Sequence, residues 1–466
     1  MAVYFTVVIA IGSHFARRQT TAGDYFLGHR DLPWWAVMFS IVATETSALT
    51  VISMPGIGAR GNFTFLQIAL GYLIGRIGVA AWLLPGYFRG DQDTAYQRLE
   101  HRFGATTRRA AAALFMVIRS MGDSVRVFAT AIPLAVLTGW PIPVSVLVVV
   151  VVTLVYTLRG GLAAVVWVDV LQLGLYVIGG LLVIMAAAPL AGGIPVAIER
   201  AWDAGKLATF DFRLSFSAPY TFLAAVLGGA LLSAASHGTD HLIVQRLLGT
   251  RSLRDARRAL IGSGLLVITQ FALFLFVGTM LWAAGADTVG TRSDRLYPEF
   301  VVRVLRPGLT GLVIAGLLAA AMSTVSSSLN ALASATTHDF YATLTGKRDP
   351  KHLLTVGRWF TVGWSIVLAG GALLFRSDDQ PVVEIALALA SITYGSLLGA
   401  YVLAGAARIA QRDVLTAIVV SVVTMVIVVL GKPGPFAALA WPWYVPLGLT
   451  LTLVTAFASS LVPRRP

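Results

Sequence analysis

Cysteine is absent from this chain of 466 residues, and charged side chains are scarce. The lack of cysteine excludes disulfides, thiolate metal sites and cysteine nucleophiles. Asp, Glu, Lys and Arg together make up 12% of the residues, whereas soluble domains contain roughly 25%. Apolar residues make up 57% of the chain, and the mean hydropathy is +0.79. These values predict an all-α polytopic membrane protein without a separate soluble domain.

Apolar stretches long enough to cross a bilayer, separated by charged or Pro/Gly breaks, predict about thirteen transmembrane helices in a single domain, 1–466. The predicted spans lie near residues 2–16, 33–58, 63–88, 110–138, 142–157, 161–190, 219–245, 258–285, 308–342, 356–376, 381–408, 413–431 and 443–462. The first stretch is followed by Arg17 and Arg18 and has no small-residue cleavage site. It is therefore predicted to be a membrane helix and not a signal peptide.

Most basic residues follow odd-numbered spans, in the loops that begin near Arg17, Arg89, Arg246 and Lys347. Short cytoplasmic loops collect Lys and Arg, so this side is predicted to be the cytoplasm. The N-terminus is then outside and the C-terminus inside the cell's inner (plasma) membrane, and loops 191–218 and 286–307 are external caps. This topology explains the net charge of +13, so no nucleic-acid partner is expected. Lipid and a small solute are the expected partners, with no obligate protein partner.

Four of the predicted spans are interrupted by ionisable or hydroxyl side chains. A charged group within a bilayer costs about 3 kcal/mol or more, so such groups mark pathways by default. Glu45 lies among hydroxyls in the second span, ahead of Pro55 and three glycines. Unwound carbonyls and hydroxyls can replace the hydration shell of a cation, which makes this segment a candidate ion site. A structural pair between Glu45 and an arginine is the alternative.

The ninth span contains a run of small and hydroxyl residues, Ala319 to Ser328. Hydroxyls often bond back to their own helix, so the run alone is weak evidence. Ser323 and Ser327, however, share one face at i and i+4, where a hard cation could lie between this helix and the Glu45 helix. Asp169 in the sixth span could ligate a cation, relay a proton or pair with a base.

The fourth span carries Arg119, Asp123 and Arg126 on one helical face. Asp123 can neutralise one of the two arginines at most. Either the three residues form a structural triad, or Arg126 binds a substrate carboxylate through a forked pair of hydrogen bonds.

Five segments along the chain carry a family resemblance. They are Asp24 to Gly28 with Leu32-Pro-Trp-Trp35, Thr94 to Gly104, Arg159 to Asp169, Gly238-Thr-Asp240 with Gln245-Arg246, and Ala319 to Thr324 with Ser328-Leu-Asn330. Together they resemble the sodium:solute symporter family, whose members import sugars, proline, pantothenate, sialic acid, iodide or monocarboxylates with sodium. The resemblance covers nearly the whole chain. It implies a secondary active transporter that imports a small polar solute with Na⁺ by alternating access, and no organic cofactor.

The resemblance also implies a leucine-transporter-like fold, in which a five-helix unit is repeated in inverted orientation. The two units would span 33–190 and 219–408, each beginning with a broken helix, with one extra helix before them and two after them. Solute and ions then bind near the midplane between the two units.

Residue by residue, the resemblance implies a core sodium site formed by the carbonyls of Ala43, Thr46 and Ala320 and the hydroxyls of Ser323 and Thr324. A second sodium site, present in some relatives, would use Asp169, Ser326 and Ser327. Glu45, followed by Ser47, stands where relatives carry a neutral residue or an aspartate, which leaves proton coupling open. The expected substrate contacts are Gln67, Tyr72, Arg126, His237, Asp240, Ser391, Thr393 and Tyr394. Arg126 favours a carboxylate-bearing solute, although Asp240 and the hydroxyls would also suit a sugar or polyol.

Other functions find less support in the residues. Gly56 to Gly61 fits the nucleotide-binding pattern G-x-G-x-x-G, but it follows an apolar helix and no βαβ unit surrounds it. His237 and His241 lie at i and i+4 without a third metal ligand. The nucleophile or metal set of a membrane-embedded enzyme is missing, so the chain is not expected to be an enzyme. A membrane sensor module and an ion channel are the remaining rivals.

Overall fold

The computed structural model describes residues 2–17, 19–89, 92–286, 288–289, 293–375 and 382–462, and the regular structure in these residues is helical. The α-helices are α1 (Ala2–Ala16), α2 (Ala22–Leu27), α3 (Trp34–Glu45), α4 (Ala48–Arg60), α5 (Leu66–Gly78), α6 (Leu84–Tyr87), α7 (Gln97–Phe103), α8 (Ala105–Thr138), α9 (Ile142–Ala187), α10 (Ile194–Asp203), α11 (Phe222–Gly238), α12 (His241–Leu248), α13 (Leu253–Ala283), α14 (Ser293–Val304), α15 (Pro307–Ala335), α16 (Ala342–Thr345), α17 (Pro350–Leu374), α18 (Val382–Leu403), α19 (Gln411–Val426) and α20 (Tyr444–Leu461).

Within the described residues, seven helical segments are long and apolar enough to cross a membrane, and two bent pairs raise the number to nine. The helix α8 is also long enough, but it carries three charged side chains in its middle. The helix α9 changes direction at Gly161, where the fifth and sixth predicted spans meet. The chain therefore has multiple membrane helices, while the count of thirteen stays a prediction. The start of the eleventh predicted span at 381, and Arg464 and Arg465, lie outside the described residues.

Two of the spans are broken in the middle. The helix α3 ends at Glu45 and α4 runs on at 67° to it, because Thr46 adopts an extended conformation (φ −85°, ψ 91°). The helices α11 and α12 meet at 59° around Asp240, which caps α12 by accepting a hydrogen bond from the Leu242 N–H at 2.9 Å. Both breaks fall in the first span of a predicted five-helix unit. The limits of those units stay predictions.

Glycine allows α4 and α13 to pack with their backbones in contact. A Cβ atom on Gly58 would lie 2.1 Å from the carbonyl oxygen of Leu275, and one on Gly278 would lie 1.9 Å from that of Pro55. Real Cβ atoms do not approach oxygen this closely, so a larger residue would force the helices apart. Gly58 of the G-x-G-x-x-G segment therefore serves helix packing.

The connections between spans carry helices of their own. The basic loops contain α2 and α7, and the loops predicted to be external caps contain α10 and α14. The long helix α15 packs against α9 and α8 in the centre of the molecule, while α19 and α20 pack against each other and α18 at one edge. This arrangement brings the middle of α15 next to the break between α3 and α4.

Candidate cation and substrate sites

The end of α3 provides free carbonyl groups beside α15. The regular hydrogen-bond pattern of α3 stops where the Thr46 N–H donates to the Val42 carbonyl at 2.9 Å. The last four carbonyls of a helix have no partner within it. One of them, on Thr44, accepts a hydrogen bond from the Thr324 hydroxyl at 3.3 Å. The structure thus joins the α3 break to the Ser/Thr run of α15, as the predicted core sodium site requires.

The five residues predicted for the core site occupy these two segments. Ala43 and Thr46 lie at the break, and Ala320, Ser323 and Thr324 lie in the middle of α15, all of them buried. Carbonyl and hydroxyl oxygens are hard ligands of the kind that bind alkali and alkaline-earth cations. The donor set therefore fits Na⁺.

Asp169 lies at the centre of a buried hydroxyl cluster next to this site. Its carboxylate accepts hydrogen bonds from Ser40 at 2.5 Å, Ser323 at 2.6 Å and Thr44 at 3.4 Å. The Arg246 guanidinium lies 3.3 Å away, and both charged side chains are fully buried. A buried carboxylate requires a positive partner, and in this structure Arg246 provides it.

Arg246 reaches this position from α12. Its Nε donates to Ser40 at 2.9 Å, its Nη1 donates to the Leu242 carbonyl at 2.7 Å, and its Nη2 donates to Ser327. The sequence pattern predicted Arg246 at the start of a basic cytoplasmic loop and within a family motif, whereas in the structure its side chain is fully buried. Its position on a short helix after a break could not be related to Asp169 without the fold.

The residues expected to form a second sodium site are therefore only partly assembled. Asp169 and Ser327 share the Arg246 guanidinium. The Ser326 hydroxyl instead donates to the Ser323 carbonyl of its own helix at 3.0 Å. A sodium ion on Asp169 would have to share the carboxylate with Arg246 or displace it.

Glu45 forms an ion pair with Arg76 of α5, which corresponds to the structural alternative for this residue. The Arg76 side chain is fully buried, and its Nη1 donates to Ser263 at 2.7 Å. Nε2 of His237 lies 3.7 Å from the Glu45 carboxylate. Ser47 is buried at the start of α4. The Glu45 charge is thus compensated from within the protein.

Asp123 contacts both arginines of the fourth span. It lies 2.9 Å from Arg119 Nε and 2.5 Å from Arg126 Nη1, and it also accepts from the Ser328 hydroxyl. Arg119 lies 3.4 Å from Asp240 as well. Asp240 therefore supplies the second negative charge that the helix itself lacks.

A small cleft opens beside these residues, between α8, α18 and the break of α11 and α12. It is narrow, with a cavity volume of about 20 Å³, and is lined by Phe115, Ile118, Arg119, Gly122, Arg126, Asp240, Ala390, Thr393, Tyr394 and Leu397. The Tyr394 hydroxyl donates to Asp240 at 2.8 Å. The cleft brings together four of the predicted substrate contacts, namely Arg126, Asp240, Thr393 and Tyr394. Ser391 is buried on α18 and does not line the cleft.

The other predicted substrate contacts have different surroundings. The Gln67 amide donates to the carbonyls of Thr64 and Tyr220 and accepts from the Asp211 N–H at 3.2 Å, so it fastens the 191–218 loop to α5. The Tyr72 ring packs 6.4 Å from that of Phe271. His237 lies beside Glu45, as described above. These three residues do not line the cleft in this conformation.

A polar network closes the end of the molecule that carries α7. Arg108 lies 2.6 Å from both Glu100 and Asp339, and it donates to the His338 carbonyl at 2.9 Å. The Thr94 hydroxyl donates to Asp339 at 2.6 Å. These bonds tie the loop around α7 to the helical turn that follows α15.

The chain is similar to known sodium-coupled transporters. It is 29% identical over 416 residues to the human sodium-coupled monocarboxylate transporter 2, covering 86% of this chain and 66% of that one. The chain thus spans just under two thirds of that relative's length. It is 28% identical over 411 residues to the sodium/sialic acid symporter SiaT of Proteus mirabilis, covering 86% of this chain and 82% of the symporter.

A solved structure, described as the substrate-bound outward-open state of a Na⁺-coupled sialic acid symporter, superposes with a TM-score of 0.88 at 24% identity. The match covers 99% of this chain and 96% of that one. This likeness confirms the leucine-transporter-like fold. The family and these relatives are transporters and not enzymes, as expected from the sequence.

The sodium:solute symporter family model matches residues 25–405, which include both broken spans, the hydroxyl run of α15 and the cleft. The chain is therefore a member of the sodium:solute symporter family.

Proposed function

We propose that the protein imports a small monocarboxylate together with one sodium ion by alternating access. Sodium binds at the α3 break and α15, and the solute binds in the cleft with its carboxylate on Arg126. In this proposal the N-terminus is outside and the C-terminus is in the cytoplasm of the inner membrane, as the basic loops favour.

The charge balance around the helix breaks is the observation that carries this proposal. The described residues there include four arginines and four carboxylates, all in the contacts described above. The arginines are Arg76, Arg119, Arg126 and Arg246, and the carboxylates are Glu45, Asp123, Asp169 and Asp240. The charges of these eight side chains thus sum to zero. One Na⁺ leaves an uncompensated positive charge in a medium of low dielectric, and a monoanionic solute restores neutrality.

Arg126 is the arginine best placed to meet the anion. Among the described residues Asp123 is its only ion-pair partner, and 21% of its side chain is exposed. Arg119, by contrast, is held between two carboxylates and is 12% exposed. A planar guanidinium can bind a carboxylate through two parallel hydrogen bonds. Arg119 then acts as the positioning residue that links the solute to the α11 and α12 break through Asp240.

The alternatives find less support in the same contacts. Asp240, which would have to accept hydroxyls of a sugar or polyol, already accepts from Tyr394, Leu242 and Arg119. Glu45, which would have to take up a proton, is paired with Arg76. Sodium-coupled transport of a carboxylate also agrees with what the two named relatives transport.

The coupling has a consequence for the driving force. Cotransport of one Na⁺ with one monoanion moves no net charge, so only the sodium concentration gradient drives it. Two sodium ions would move one net charge, which gains about 2.3 kcal/mol per 100 mV of membrane potential. The effect of an imposed membrane potential on the uptake rate therefore shows how many sodium ions accompany each solute.

The test is uptake of labelled short-chain monocarboxylates, sialic acid and sugars into proteoliposomes, with inward sodium or potassium gradients. We expect sodium-dependent uptake of one monocarboxylate class that is unchanged by a valinomycin-imposed potential. The Arg126→Lys variant should raise KM, because an ammonium keeps the charge but loses the forked geometry. Uptake of sugars, with Arg126→Lys unaffected, would overturn the carboxylate assignment. Acceleration by the potential would overturn the one-ion stoichiometry.

A further inference from the structure

Two neighbouring parts of the 191–218 connection expose apolar side chains in a regular pattern. Residues 208–215 have no regular secondary structure, and from 210 to 216 every second residue is a large apolar one, Phe210, Phe212, Leu214 and Phe216. The Phe210 and Phe212 rings stack with centroids 5.8 Å apart and planes 10° apart, so these two side chains lie on one side of the chain. The four apolar side chains are between 53% and 84% exposed. We refer to them as the aromatic stripe.

The helix α10 shows the same feature with helical spacing. Ile194, Ile198 and Trp202 lie four residues apart on one face, and they are 38%, 41% and 73% exposed. Ala197 and Ala201 on another face are fully buried against the protein. The helix thus turns its small residues inward and its large apolar residues outward.

Between these apolar residues lie polar ones, and the charges of Asp211 and Arg213 are paired with each other. Arg213 donates to Asp211 at 2.6–3.1 Å, and these hydrogen bonds lower the pKa of the Asp211 carboxyl to about 2. Asp211 stays ionised at ordinary pH, so the Arg213 charge remains compensated. The segment therefore has a paired polar side and an exposed apolar side, whose Phe210 and Phe212 rings also contact Phe222.

The contacts of the stripe fix its level relative to the membrane. The Phe216 ring lies 5.0 Å from that of Trp443, and the Phe216 carbonyl accepts from the Ala440 N–H at 2.8 Å. Residues 440–443 connect α19 and α20, which both have the length and composition of membrane spans. A short connection between two adjacent spans lies at the membrane surface. The stripe is joined to it, so it lies at the same level.

We propose that the aromatic stripe and the outer face of α10 insert into the headgroup and upper acyl region of the bilayer, forming a lipid-binding surface. Tryptophan and tyrosine concentrate at this depth, and amphipathic helices lie there with their apolar face toward the acyl chains. The stripe and the tryptophans of the α19 and α20 connection form one continuous surface. The outer sides of α19 and α20 below it expose valine, isoleucine and leucine, as a lipid-facing surface does. The occupant is lipid, and not a second copy of the chain.

This surface anchors the loop that Gln67 fastens to α5, so it holds this connection against the bilayer. The inference is independent of the transported solute, because it concerns only residues outside the cleft.

The absence of cysteine makes the test direct, since a single introduced cysteine can be spin-labelled without a background. Leu214→Cys places a nitroxide on the stripe, where the native residue is 84% exposed. Arg213→Cys is the matched control, one residue away on the opposite side and 82% exposed at its side chain. Trp202→Cys reports on α10. Each variant is placed in nanodiscs of phosphatidylethanolamine and phosphatidylglycerol.

Collision with oxygen, which concentrates in lipid, is compared with collision with a water-soluble nickel chelate. We expect the oxygen-to-nickel ratio at positions 214 and 202 to be severalfold higher than at 213. Equal ratios at 214 and 213 would place the stripe in water and overturn the proposal. Low accessibility to both reagents at 214 would mean that protein covers the stripe, which also overturns it. All three side chains are exposed, so the substitutions leave the packing of the helices intact.

Discussion

The ion pair between Asp169 and Arg246 should behave as a unit whose halves cannot be removed separately. Both side chains are fully buried and lie 3.3 Å apart. Removal of one partner leaves an uncompensated buried charge, which typically costs about 3–5 kcal/mol. Removal of both, in Asp169→Asn with Arg246→Met, eliminates the charge and should cost much less. The pair should therefore show a strong positive coupling in a double-mutant cycle.

The expected shift can be read from thermal unfolding of the purified protein. Unfolding entropies of about 2.1 cal/mol/K per residue imply about 1 °C per kcal/mol for a chain of this length. Each single variant should thus melt about 3–5 °C below the wild type, and the double variant close to it. Because membrane proteins often unfold irreversibly, all variants are compared at one scan rate.

Sodium adds a second readout to the same variants. Arg246→Met leaves the Asp169 carboxylate with the hydroxyls of Ser40, Ser323 and Thr44, which are ligands suited to sodium. Sodium at 100 times its Kd would stabilise this variant by about 2.7 kcal/mol beyond the effect at the core site. Choline chloride at equal ionic strength is the control.

The reasoning is refuted if both single variants melt with the wild type, or if the double variant is as unstable as the worse single one. In either case Asp169 and Arg246 would not depend on each other. If sodium stabilises Arg246→Met no more than the double variant, Asp169 does not become a sodium site when the guanidinium is removed.

Two further predictions address the core sodium site and the helix packing. Ser323→Ala should greatly weaken sodium-dependent uptake and stabilisation by sodium, because it removes a proposed ligand hydroxyl. Ser326→Ala, which removes a hydroxyl that bonds within its own helix, should leave both properties nearly unchanged. A similar loss in the two variants would contradict the proposed sodium site. Gly278→Val should destabilise the protein by about 1–3 kcal/mol or more in chemical or thermal unfolding, because α4 leaves no room for its side chain. Gly174→Ala, which meets open space, is the control, and equal melting of the two variants would be inconsistent with the close packing.

The general architecture followed from composition and local pattern. Few charges, long apolar stretches and basic loops predict a polytopic helical membrane protein, because the cost of placing polar groups in lipid constrains each span by itself. The break in the second span was also foreseeable, since hydroxyl residues and glycines weaken a helix locally. Asp24 to Gly28, the α15 run and the other motifs indicated the family that the comparison established.

The partners of the buried charges required the fold. Arg246 lies 77 residues from Asp169, and Arg76 lies on a different helix from Glu45 and pairs with it at the break. Nothing in the local sequence indicates that a guanidinium meets a particular carboxylate, because that depends on how the spans cross. The interpretation of Arg119, Asp123 and Arg126 was incomplete for the same reason, since the second carboxylate, Asp240, comes from the other broken span.

The sequence by itself thus determined that the chain lies in a membrane and which polar residues interrupt its apolar segments. These properties depend on the free energy of transferring each segment from water to lipid, which its own residues set. The tertiary structure alone decided which charges neutralise one another and which arginine stays partly exposed beside the cleft. The pairing arises from packing between helices that are distant in sequence, because a shift of a few ångströms decides whether a guanidinium reaches a carboxylate.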